Sequence, residues 1–305
     1  MKPMTTGAAP PTERGSQDRW AVLAEDRERV ETEVGHAADM HRTVMAYLEC
    51  DVITPVDVVL SVAAAHGPEV IAETLDMTVN GAPIEFTEIA DDHGTRLHLA
   101  DRVPSGRLIV RYDATLGALA PIAEVRPVDL VRYLRPSRYC ESDRLSPVAR
   151  AEFAGLNGAD LLAAVSSWVG TRLGYVPGSS RPIDGAVATL LARQGVCRDF
   201  AHLVIAFLRA CDVPARLVSV YAPGLSPMDF HAVAEAYVGG AWQVLDATCL
   251  APRATMVPIA TGRDAADTAF LTTTAGIVAL TGMEIVAYTD ERLPFDDTTS
   301  PVQLR

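Results

Sequence analysis

Gly195-Val196-Cys197-Arg198-Asp199-Phe200-Ala201-His202-Leu203 places a cysteine two residues after a glycine, where a buried helix begins. From Phe200 onward the apolar residues Phe200, Val204, Phe207, Leu208 and Cys211 recur at helical spacing, and Pro214 ends the run. Cys197 therefore stands at a helix N-terminus. Unpaired backbone N–H groups and the positive end of the helix dipole favour a thiolate there. A lone cysteine at a helix start is otherwise a small buried hydrophobe. Chemistry requires two more groups, a base and something to orient it.

Both occur within the next fifty or so residues, in two segments with strand-like alternation. His231-Ala232-Val233-Ala234-Glu235-Ala236-Tyr237-Val238 is followed by Gly239-Gly240 and then by Ala241-Trp242-Gln243-Val244-Leu245-Asp246-Ala247-Thr248. A Gly-Gly pair between alternating runs predicts a two-residue hairpin loop. With those glycines as the whole loop, Val238 faces Ala241, Val233 faces Asp246 and His231 faces Thr248. Side chains alternate with period two, so His231 and Asp246 become diagonal neighbours on one face, roughly 7 Å apart at Cβ. An imidazole and a carboxylate can bridge that gap. Glu235 and Tyr237 share the face and either line a substrate cleft or cover its far end.

These segments resemble the transglutaminase-like superfamily, whose papain-like core carries a Cys at a helix N-terminus and a His and an Asp on adjacent strands. The matching motifs run in order from about Asp160 to Ala251: the cysteine stretch, Pro214-Ala215-Arg216, His231-Ala232 and Asp246-Ala247-Thr248. The resemblance implies Cys197 as nucleophile, His231 as base and Asp246 as the group holding the imidazole. It also points to Tyr175 and, with it, Gln194 as substrate or oxyanion contacts. Two positions depart from the common pattern. Val233 stands where many members have Trp, and Ala247 where they have Pro, and both are expected to reshape the acyl pocket.

The implied chemistry is acyl transfer or amide hydrolysis through a thioester, on a peptide, protein or small acyl substrate and without a cofactor. The alternative is a binding module that keeps the fold without turnover. No His, Cys or Asp cluster shows metal-ligand spacing. Five cysteines without a C-x-x-C pair fit neither a disulfide framework nor a zinc ribbon. A net charge of −13 disfavours nucleic acid, whose phosphates would be repelled. No apolar run approaches the roughly 20 residues that span a bilayer. Roughly the first thirty residues lack an apolar signal core, so the expected location is the cytoplasm.

In chain order, residues 1–36 read as a flexible tail with a short polar helix over Trp20 to Glu33. Residues 37–120 carry short strands about ten residues apart, with Asn80-Gly81, His93-Gly94 and Ser105-Gly106 as turns, and predict a small β-sandwich. Residues 121–145 read as a linker whose arginines, Arg132, Arg135 and Arg138, face solvent, anchor an acidic partner or pack across a domain junction. Helices follow: one capped at Ser146-Pro147, one at Asp160 and a short one at Asp184. Helices before Cys197 and strands after it make residues 146–289 an α+β domain. Gly276 to Tyr288 is expected to complete its sheet, and 290–305 to trail as a loosely held tail.

Overall fold

The computed structural model describes residues 40–122 and 124–305, so the tail and helix read over residues 1–36 lie outside the described residues. Strict alternation makes β1 (Arg42–Thr54), in which Val44, Ala46, Leu48, Cys50 and Val52 are all buried. It is followed by β2 (Val56–Leu60), β3 (Val70–Val79), β4 (Ala82–Pro83), β5 (Thr87–Ala90), β6 (Arg96–Val103) and β7 (Gly106–Leu116). Asn80 and Gly81, both at positive φ, close the β3–β4 hairpin. The inward residues of β1, β3 and β7 share one apolar core with those of β2 and β6, which gives the expected β-sandwich.

The second half contains α1 (Pro127–Arg132), α2 (Ser142–Glu152), α3 (Gly158–Arg172), β8 (Gly174–Tyr175), α4 (Ala186–Ala192), β9 (Gln194–Gly195) and α5 (Cys197–Ala210). The strands β10 (Ala215–Tyr221), β11 (His231–Val238), β12 (Ala241–Leu245), β13 (Val257–Gly262), β14 (Leu271–Thr274) and β15 (Ile277–Thr289) come after it. Apart from its first two residues, α5 is buried from end to end, because it packs against α2, α3 and α4 as well as β10 and β11. The antiparallel sheet beneath it has the order β12-β11-β10-β13. This is the α+β arrangement read from the sequence, with helices before the cysteine and strands after it.

Several expectations are corrected, among them the cap at Asp160, since α3 starts at Gly158 after Asn157. The stretch from Gly276 does not complete the sheet under α5; as β15 it pairs antiparallel with β1 on the edge of the sandwich, where Ile285 and Ala287 enter that core. The free edge of β10 is taken instead by β13, whose Pro258 lies next to a register shift, as edge-strand prolines do. Helix α2 starts at Ser142, leaving Pro147 inside it, and α4 is capped by the backbone of Gly185 while Asp184 pairs with Arg181. Arg132 bonds Asp92 across the junction at 2.6 Å, whereas Arg135 and Arg138 are exposed.

The last sixteen or so residues are not a loose tail. Arg253 is nearly buried, donates from Nη1 to the Val244 carbonyl at 3.1 Å, and grips Asp296 through Nε and Nη2. Val302 accepts the Val244 N–H at 2.8 Å, and Leu304 packs on the apolar cluster beneath. The segment straps the strand that leads into Asp246. Arg253→Ala is expected to destabilise the protein by about 3 kcal/mol, because it strands the Asp296 carboxylate. Urea unfolding of Arg253→Ala, Asp296→Ala and the double variant checks this, the double variant losing little more than either single one.

Candidate active site

The loop entering α5 is fixed by its own residues. Val196 is extended (φ −115°) and serves as N-cap, so Cys197 is the first helical residue. Asp199, buried in the first turn, accepts the Val196 N–H at 2.9 Å, the Ser180 hydroxyl at 3.0 Å and Arg198 at 3.3 Å. Gly195 is required by this packing: a Cβ there would stand 2.6 Å from that of Asp199. Arg198 and Asp199 are thus structural. So is His202, buried with its ring stacked on Tyr139 and its Nε2 accepting from the Ala265 N–H.

A short parallel bridge between β8 and β9 pairs Gly174 with Gln194 and Tyr175 with Gly195. It holds Tyr175 beside the helix tip, its ring near Phe200. Burial and the neighbouring Cys197 push the pKa of its hydroxyl up to about 12. Gln194 supplies only backbone here. Its side chain is exposed and makes no hydrogen bond among the described residues.

The hairpin has the predicted register: Val238 faces Ala241 and Ala234 faces Leu245. The ladder ends there, so Asp246 lies just past β12 and reaches His231 from a turn. His231 Nε2 and Asp246 Oδ2 are 2.8 Å apart, with both side chains nearly fully buried. Oδ1 of Asp246 is held by the Thr248 N–H at 2.9 Å and the Thr248 hydroxyl at 2.6 Å. Thr248 is a positioning residue that sequence reasoning placed on the face without assigning a role; the Asp-x-Thr spacing, with an aspartate accepting from the amide two residues on, was the available signal.

The other imidazole nitrogen, Nδ1, is buried and makes no hydrogen bond of good geometry among the described residues. It is the nitrogen not taken by Asp246, and Cys197 is among the neighbours that raise the pKa of the ring. Burial alone would lower the His231 pKa. The Asp246 carboxylate and Cys197 outweigh burial and hold it at about 10, so the ring is protonated at neutral pH. Asp246 answers in kind: burial would raise its pKa, but His231 and Thr248 bring it below the ordinary carboxylate value.

Two sequence expectations fail here. Glu235 does not line the cleft of Cys197: it is buried under Arg216, whose Nε and Nη2 donate at 2.7 and 2.6 Å, and it faces a cavity of about 400 Å³ at the junction with the sandwich. Val233 packs inside an apolar cluster with Val218 and Val244, not in an acyl pocket. Of the remaining cysteines, Cys50 and Cys140 are buried with pKa values pushed up to about 11 and 12 by burial. Cys249 is exposed. Among the described residues no group of His, Cys, Asp or Glu gathers to hold a metal ion, and no helix is long and apolar enough to cross a membrane.

Fold and site define a class, an α+β protein with a cysteine at a helix tip and a buried imidazole–carboxylate pair at the hairpin. The family described as the Transglutaminase-like superfamily matches residues 153–247. A solved structure from Cytophaga hutchinsonii, provisionally named a cysteine protease, is 32% identical with a TM-score of 0.78, and the match covers 86% of this chain and 96% of that one. The chain belongs to the transglutaminase-like superfamily. An uncharacterised protein of Mycobacterium leprae is 27% identical over 149 residues, 45% of this chain and 52% of that protein. Another, from Mycobacterium bovis, is 44% identical over 62 residues, 20% of each. The chain thus spans about half the length of the first and a fifth of the second.

The raised pKa of His231 has a definite sign. The charged ring stabilises the fold in full below its ordinary 6.5, and that contribution fades as pH climbs through about 10. Replacing Asp246 with Asn leaves burial as the dominant influence, so the His231 pKa is expected to fall from about 10 to below 6.5. NMR titration of the imidazole checks this; a ring still titrating near 10 in Asp246→Asn would contradict it.

Proposed function

We propose that the protein catalyses acyl transfer or amide hydrolysis through a thioester on Cys197, with His231 and Asp246 completing the triad. One observation carries this reading: the buried His231 imidazole is held by Asp246 through Nε2 at 2.8 Å, which leaves Nδ1 without a hydrogen-bond partner of its own among the described residues, and Cys197 is among the neighbours that raise its pKa. A peptide or protein acyl donor fits the fold and the name given to the Cytophaga hutchinsonii relative.

In this mechanism Cys197 Sγ, as a thiolate beside the imidazolium, attacks the carbonyl carbon. The carbonyl oxygen becomes an oxyanion next to the Cys197 backbone N–H. His231 donates its Nδ1 proton to the leaving amine, the C–N bond breaks, and the acyl group stays on sulfur as a thioester. The neutral imidazole then takes a proton from water or an acceptor amine, whose attack on the thioester expels the thiolate. Asp246 stays ionised and fixes the ring throughout.

Iodoacetamide at neutral pH is expected to alkylate Cys197 at least tenfold or so faster than the exposed Cys249, because thiolate character governs the rate. Site-resolved mass spectrometry reads this. Equal rates would favour a module without turnover. With an activated peptide thioester as donor, intact mass is expected to show an acyl adduct on the wild type and none on Cys197→Ala.

A further inference from the structure

The cavity of about 400 Å³ at the junction with the sandwich contains none of Cys197, His231 and Asp246 in its walls, yet it holds polar groups that the fold leaves unanswered. Glu235 lines it while only 3% exposed. Arg216 takes a single oxygen of this carboxylate, Oε2, with both Nε and Nη2. Oε1 accepts no hydrogen bond among the described residues and is not sealed off, so it opens on the cavity. A carboxylate oxygen this deep in a fold calls for a donor. Half-buried Arg305 lines the same cavity. Its Nε donates to the Ala120 carbonyl at 2.8 Å, and the rest of its guanidinium donates no hydrogen bond among the described residues. The other two arginines of the walls are engaged: Arg216 with Glu235 and His93, Arg126 with Asp92 and Asp129. Exposed Glu124 stands at the same cavity without an ion-pair partner among the described residues. Val218, Pro258 and Leu304 supply apolar wall.

We propose that this cavity binds a small zwitterion of the α-amino-acid class, its ammonium group on Glu235 and its carboxylate on Arg305. A simple cation would meet Arg305 and Arg216, and a simple anion would meet Glu235 and Glu124. A molecule carrying both charges can turn each toward its opposite. The volume lies at the small end of the range for ligand sites, which suits one amino acid with an apolar side chain against Val218 and Leu304. Bound there, the ligand would link β11 to the C-terminal segment. The claim is independent of the thioester chemistry proposed for Cys197.

The probe is L-norleucine, titrated into the full chain and followed by ligand-observed NMR. Two smaller analogues each lack one charge: hexanoate has no ammonium group and pentylamine has no carboxylate. Norleucine is expected to bind at millimolar concentration, and each analogue at least roughly tenfold more weakly, since hydrogen bonds to a charged group are lost. Arg305→Gln should erase the preference for norleucine over pentylamine and keep the preference over hexanoate. Glu235→Gln should do the reverse. Because Glu235→Gln also strands the buried Arg216, Thr261→Phe provides a second arm: it fills the cavity from its wall, alters neither charged group and should abolish binding. A cavity that takes up only water, seen as no binding of norleucine at millimolar concentration, overturns the proposal. Norleucine binding that survives Thr261→Phe unchanged overturns it too, as does hexanoate or pentylamine binding as tightly as norleucine. Cys197→Ala should bind norleucine like the wild type, so failure of the catalytic reading and failure of this one are told apart.

Discussion

The buried contact between His231 and Asp246 is the constraint that the rest of the structure serves. Burying either charged group alone is penalised by several kcal/mol, and the pair is tolerable only where every lone pair and proton is answered. Asp246 meets that condition with Thr248 on one oxygen and His231 on the other. Its backbone is pinned as well. Gly170 of α3 comes so near that a Cβ would stand 2.6 Å from the Ala247 carbonyl oxygen, so the helix is pressed onto the turn carrying the carboxylate. On the other side Arg253 and the C-terminal segment hold Val244, two residues upstream.

A second buried ion pair ties this sheet to the sandwich. Arg216 and Glu235 are direct cross-strand partners on β10 and β11, and the guanidinium lies over Trp242, 4.1 Å from the ring centroid. Its Nη1 reaches Nδ1 of His93, a residue of the sandwich held at positive φ, while Nε2 of His93 meets the Tyr133 hydroxyl. Arginine cannot accept a hydrogen bond, so Nδ1 accepts from Arg216, and Nε2 faces Arg126 Nη2 at 3.3 Å as well as the Tyr133 hydroxyl. Burial, with Arg216 alongside, lowers the His93 pKa to about 4 and keeps the ring neutral. A neutral histidine can therefore join two cationic arginines to the sheet, since Arg126 and Arg132 are themselves neutralised by Asp92 and Asp129. The β-sandwich is thereby bonded to the same strand that begins with His231.

How much of this was legible depended on how local the cause was. The helix tip at Cys197 and the hairpin could be read because Gly195, the helical apolar run and the Gly239-Gly240 loop act over a few residues. Thr248 needed only the Asp-x-Thr spacing. The fate of Glu235 could not be read: alternation placed it on the His231 face, but its partner Arg216 lies nineteen residues upstream on another strand. Arg253 and Asp296 are forty-three residues apart, and nothing local marks them as partners. The sheet that β15 joins is set by which strand has a free edge, and that depends on Pro258-containing β13 having already closed the other.

The two departures from the common motif become intelligible in the same terms. Beyond His231, strand β11 turns Val233 into the apolar cluster under the C-terminal strap and Ala232 and Ala234 toward α5. A tryptophan at 233 would have to fit where Val218, Val244 and the strap already meet, so valine there is the counterpart of a strap that crosses this face. Ala247 is buried in the core beneath α5, and its backbone carbonyl is what keeps position 170 a glycine. At Val233 the space beside the strand is filled by the chain's own last residues, Val302 and Leu304.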